Sequence, residues 1–120
     1  MRMSVRFLVS AFILTATACG SSSTPTYGGG GGGGGCTSTS NSITIADFSF
    51  APACTTVPLN TVVTWTNNGP ATHTTTSDAT GWDSNNLAQT QTFQHQFTTM
   101  GTFTYHCKIH PTMTGTITVQ

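Results

Sequence analysis

Cys107, His110 and Met113 fall in one short stretch, C-x2-H-x2-M, and offer a thiol, an imidazole and a thioether close together. Soft sulfur donors beside an imidazole suit copper, which must be held as both Cu(I) and Cu(II). Zinc, the competing metal, favours four nitrogen, thiolate or carboxylate ligands and is poorly served by a thioether. A trigonal His2Cys site with a weak axial Met needs one more imidazole. His73 is the candidate, because it follows the turn signal Asn67-Asn68-Gly69-Pro70 and can return to the same end of the fold. His106 adjoins Cys107 on a predicted strand, so its side chain points to the other face and it is not a ligand. His95, between Phe93 and Phe97, is expected to be a hydrogen-bonded core or edge histidine.

The elements that must position these residues are legible as alternation. In Thr61 to Thr66, Val63 and Trp65 share one face, and the following Asn-Asn-Gly-Pro ends the strand. Phe93, His95 and Phe97 line a second strand, after which Met100-Gly101 turns the chain into Thr102 to Cys107. There Phe103, Tyr105 and Cys107 point one way while Thr104 and His106 point the other. Ile117 and Val119 form the inward face of the last strand. Ile43 and Ile45 begin an earlier strand whose apolar parity shifts at Phe48 and Phe50, which predicts a bulge near Ala46-Asp47. Residues 79–90 read as one long loop packed down by Trp82 and Leu87. With no helical periodicity, the expected fold is an all-β, Greek-key sandwich of about seven to eight short strands.

The run from Phe103 to Val119, FTYHCKIHPTMTGTITV, with Val63-Thr-Trp-Thr-Asn upstream and His73 beyond it, resembles a cupredoxin of the plastocyanin/amicyanin type. The likeness covers roughly residues 41–120, and the short Cys-to-Met spacing is closer to amicyanin. It implies one type 1 copper ion with His73, Cys107 and His110 as strong ligands and Met113 as the weak axial one. The family often places Asn after the first ligand histidine, where it ties the two ligand loops together. Thr74 stands there, and its hydroxyl can make one such bond.

Residues 1–18 have the order of a signal peptide: Arg2 and Arg6, an apolar run from Phe7 to Leu14, then small residues before Cys19. The apolar run is shorter than the roughly 20 residues a membrane-spanning helix needs. Cys19 after Ala16-Thr17-Ala18 resembles a bacterial lipobox, with Ala16 where strong examples carry Leu, so Cys19 is the candidate lipidation site. Gly20 to Gly35, closing with eight consecutive glycines, cannot bury apolar surface and should act as a flexible tether. The domains are therefore read as 1–18 signal, 19–35 lipidated Cys and linker, and 36–120 the copper domain. If Cys19 is lipidated and Cys107 binds copper, Cys36 and Cys54 remain, and an exported compartment would oxidise them to a disulfide.

Length and charge narrow the function further. The 120 residues suit one small fold plus extensions. Beyond the signal, Lys108 stands against Asp47, Asp78 and Asp83, so no basic surface exists for nucleic acid. The resulting expectation is a monomeric one-electron carrier held on the periplasmic or cell-surface side of a bacterial membrane by its lipid. Its partners would be a redox donor and acceptor docking transiently near His110, where Pro70, Ala71 and Pro111 supply an apolar surround. The alternative is a copper chaperone or storage lipoprotein with the same ligands and no redox partner. Catalysis is not expected, because multicopper oxidases flank the cysteine with histidine on both sides and Lys108 occupies the second flank. Copper nitrite reductases share the His106-Cys107 pair but need a second copper domain.

Overall fold

The computed structural model describes residues 35–120. The expected signal peptide, Cys19 and the linker as far as Gly34 lie outside the described residues. The described chain forms eight strands and no helix: β1 Ser42–Ala46, β2 Ser49–Ala51, β3 Cys54–Val57, β4 Val62–Asn67, β5 Thr76–Ser77, β6 Thr92–Gln96, β7 Gly101–His106 and β8 Thr114–Val119. They make two four-stranded sheets, ordered β2-β1-β4-β6 and β3-β8-β7-β5. Strands β1 and β4 are parallel neighbours, as are β3 and β8. Parallel neighbours cannot be joined by a tight turn, so the chain crosses repeatedly from one sheet to the other. The core is consequently assembled from residues distant in sequence.

Period-2 alternation does the sorting. Ile43 and Ile45 of β1, Val63 and Trp65 of β4, Tyr105 of β7, and Ile117 and Val119 of β8 are buried between the sheets, while their neighbours are half-buried or exposed. Each such large apolar side chain contributes about 1.5–3 kcal/mol by leaving water. The centre is aromatic: Trp65 meets Tyr105 edge-on at 5.6 Å between ring centroids and Trp82 at 5.7 Å. These are separations at which aromatic pairs attract beyond their area alone. Tyr105 lies over its cross-strand partner Gly115, where an added methyl carbon would fall 2.2 Å from the ring. Only glycine leaves that space, and it keeps the ring in the core two residues before Cys107. Burial raises the Tyr105 hydroxyl to about 12.

The bulge expected near Ala46-Asp47 is absent. Ala46 pairs with Ser49, so Asp47 and Phe48 form the two-residue tip of a β1–β2 hairpin, with Phe48 at φ 71°. A chain reversal changes apolar parity as a bulge would, because Phe50 returns to the core from the neighbouring strand. Residues 79–90 do form an irregular loop, tied down by buried Trp82 and Leu87. Trp82 donates its indole N–H to the Thr75 hydroxyl at 3.1 Å. At the other margin, Cys36 and Cys54 are joined in a disulfide with their Cα atoms 5.2 Å apart. The segment after Cys36 then lies along β3, the Thr56 amide donating to the Ser38 carbonyl at 2.8 Å and the Thr55 hydroxyl to the Ser40 carbonyl at 2.7 Å.

Candidate metal centre

The site is built where β4 and β7 end. Asn67, the last residue of β4, is fully buried, and its side chain fixes the loop that follows the strand. Its amide donates to the carbonyls of Ala71 at 2.7 Å and Leu87 at 2.8 Å, and its Oδ1 accepts from Gly69 N–H at 3.0 Å. A buried amide with its hydrogen bonds satisfied holds a loop in one shape. That loop carries His73, whose backbone exchanges both hydrogen bonds with Leu87, at 3.1 and 2.8 Å. Cys107 follows β7, and the turn beyond it closes on itself. Its amide donates to the Met113 carbonyl at 3.0 Å, and the Met113 amide to the His110 carbonyl at 2.9 Å.

Three of the four expected ligands offer their donor atoms to one small space. The Cys107 Sγ lies 3.8 Å from His73 Nδ1 and 3.8 Å from His110 Nδ1, and the two nitrogens are 3.1 Å apart. A point about 2.0 Å from both nitrogens and about 2.3 Å from sulfur lies nearly in the plane of all three, and these are bond lengths to a first-row ion. His73, Cys107 and His110 thus form a group that could hold a metal. His73 and Cys107 are fully buried, and His110 is half-buried. Met113, the fourth expected ligand, is buried in the same turn.

The surroundings hold the sulfur and the imidazoles in place. The Thr74 amide donates to Cys107 Sγ at 3.3 Å, a bond that strengthens when sulfur carries charge. The Thr74 hydroxyl accepts from the Lys108 amide at 2.9 Å and meets the Thr76 hydroxyl at 3.1 Å. The hydroxyl therefore ties the His73 loop to the Cys107 loop. On the far side of the His73 ring, Nε2 faces Asp47 Oδ1 at 3.4 Å. Phe48 sets its ring edge-on to His110, 5.1 Å between centroids.

The other two histidines lie apart from this group. His106 turns to the outer face, its Nδ1 2.5 Å from Asp78 Oδ1. The Thr104 hydroxyl and His106 hold the Asp78 carboxyl below the usual carboxylate range. Asp83 is lowered likewise, chiefly by its bond to Lys108. His95 is half-buried, but its ring rests on Trp82 at 5.1 Å and against Phe97 at 4.9 Å, rather than on a hydrogen-bonding partner among the described residues. Desolvation there disfavours its charged form.

The sequence matches the cupredoxin-like domain family over residues 8–119. The chain belongs to that family. Among solved structures, this cupredoxin is similar to a purple cupredoxin from Nitrosopumilus maritimus, at 27% identity and a TM-score of 0.64, covering 66% of this chain and 98% of that one. It is also similar to an amicyanin variant in the Cu(I) form, at 27% identity and a TM-score of 0.63, covering 66% of this chain and 80% of that one. A third is the copper-containing nitrite reductase from Thermus scotoductus, at 25% identity and a TM-score of 0.62, covering 66% of this chain but 22% of that one. A search of curated protein sequences finds no match. Asn67, Asp47 and Phe48 are the cupredoxin's site residues that the sequence reading missed. Asn67 reads as turn chemistry in the sequence, and the Asp47-Phe48 pair reaches the site only through the hairpin.

Proposed function

We propose that this cupredoxin is a one-electron carrier with His73, Cys107, His110 and Met113 as its copper ligands. The observation that carries the reading is the convergence of one sulfur and two imidazole nitrogens on a buried point, with His110 the one of the three donors that is partly open to solvent. The donor set fits copper better than zinc, since two sulfurs and two imidazoles suit an ion that alternates between soft and borderline states. When bound, copper supplies the one-electron Cu(I)/Cu(II) couple. The chain's own residues supply rigidity: Asn67, Thr74 and the closed Cys107–Met113 turn leave the donors little room to move when the charge changes. The similar structures support this reading, one being a purple cupredoxin and another an amicyanin variant in its Cu(I) form. The nitrite reductase is matched over 22% of its length, so its activity is not transferred to this chain.

Docking is proposed at the His110 end. Phe48, 64% exposed, sets its ring against the half-buried His110, and exposed Ile109 (44%) and Pro111 flank that imidazole in the chain, so its neighbourhood offers apolar surface. Lys108 is engaged by Asp83, so long-range steering should be weak and the redox encounter small and transient. Ile109→Glu or Pro111→Glu is expected to slow electron exchange with the physiological partner while leaving the copper spectrum unchanged. The wild-type rate should change little with salt. A steep fall with added salt would move the interface to Asp78, Asp83 and Lys108.

The same reading exports the protein and tethers it, as a monomer, by a lipid on Cys19, with residues 36–120 as the copper domain. Wild-type protein should partition into the membrane fraction and Cys19→Ala should not. A soluble mature chain that begins elsewhere would end the lipoprotein reading.

A further inference from the structure

We propose that Asp47 is a positioning residue for the metal centre, acting through His73 to hold the site toward its oxidised state. The proposal rests on the copper reading above. His73 points Nδ1 at Cys107 and His110, which leaves Nε2 to carry the ring proton, and the acceptor facing that proton is Asp47 Oδ1 at 3.4 Å. The seat of the carboxylate is built rather than incidental. The same Oδ1 accepts from the Ala71 amide at 3.3 Å, and at Gly69 a methyl carbon would fall 2.4 Å from it. Asp47 arrives from the β1–β2 hairpin tip, an element that supplies no ligand, while His73 arrives from the loop after β4.

A carboxylate behind a ligand imidazole fixes its tautomer and makes it a stronger donor. Cu(II) carries one more positive charge than Cu(I), so a stronger donor with an anion behind it favours Cu(II) and lowers the reduction potential. Nothing nearby cancels that charge: Lys108, the cationic side chain of the described residues, is held by Asp83. Asp47 is 36% exposed, so water damps the effect without abolishing it.

The test is potentiometric titration of the copper-loaded protein in wild type, Asp47→Asn and Asp78→Asn. Asparagine keeps an acceptor oxygen but loses the charge. Asp47→Asn is expected to raise the potential by about a two- to tenfold change in the Cu(II)/Cu(I) stability ratio, tenfold being about 59 mV for one electron, with the thiolate band retained. Asp78→Asn removes the same charge at a distance from His73 and should move the potential much less. Equal shifts in the two variants, or none in Asp47→Asn with an intact band, would overturn the proposal. A second measurement needs no copper and no variant: nitrogen NMR of the metal-free wild type should find the His73 proton on Nε2, and a proton on Nδ1 would refute the assignment. If wild type forms no thiolate–copper centre, the electron-carrier reading fails, and the tautomer alone decides the role of Asp47.

Discussion

Cys107→Ser is expected to abolish the blue absorption of the protein loaded with Cu(II). The colour of such a site comes from charge moving from thiolate sulfur to the metal, and a serine hydroxyl is a hard, weakly acidic donor that supplies neither softness nor that transition. The change is local. Cys107 follows β7 with its amide bonded to the Met113 carbonyl, and Thr74 N–H would face an oxygen in place of the sulfur at 3.3 Å, so the fold should survive. His73 and His110 would remain as a weaker pair of nitrogen donors. Met113→Leu should behave differently, keeping the colour but raising the reduction potential, because a weakly donating thioether would help stabilise Cu(II). The visible spectrum and the midpoint potential of each variant check these outcomes. A blue Cys107→Ser protein would sink the ligand assignment, and a colourless wild type that binds Cu(I) alone would favour copper storage or delivery over electron transfer.

Breaking the Cys36–Cys54 bridge should give the largest loss of stability. The two cysteines are 18 residues apart, and in the chain-entropy account closing such a loop stabilises the fold by about 3 kcal/mol. For a domain this small that is a large share of the total, because its core is thin. The double variant Cys36→Ser with Cys54→Ser is expected to melt on the order of 12–24 °C lower. Without the bridge, the segment from Cys36 to Ser40 is held to β3 by hydrogen bonds such as Thr56 to Ser38, so it should fray first. The metal centre is not tied to this segment, so the copper spectrum at low temperature should persist. Two alkylated cysteines in unreduced protein, or a double variant within 1 kcal/mol of wild type by urea denaturation, which is well inside the expected loss, would refute the role.

Local chemistry and periodicity were enough to find the sandwich and three of the site's parts. Val63 with Trp65, and Ile117 with Val119, face the core as alternation requires, since strand side chains have a period of two whatever the strand pairs with. Cys107 and His110 stand three residues apart in one turn, so their meeting is a property of that turn. His73 was reachable only by asking which remaining imidazole a turn could bring back. Pairing across the sheets decided the rest. Nothing within Ile43 to Phe50 distinguishes a bulge from a hairpin, because both reverse the apolar parity. The choice is made by Ala46 meeting Ser49 while β1 runs beside β4. That choice places Asp47 behind His73 and Phe48 beside His110. Asn67 reads as turn chemistry in the sequence, yet the acceptors that fix it are Ala71 and Leu87, and Leu87 lies 20 residues on. His95 lies where alternation puts it, but packing against Trp82 took the place of the expected hydrogen bond. A strand's period tells each residue which face it occupies, whereas its neighbour on that face is set by the register and packing of segments far apart in the chain.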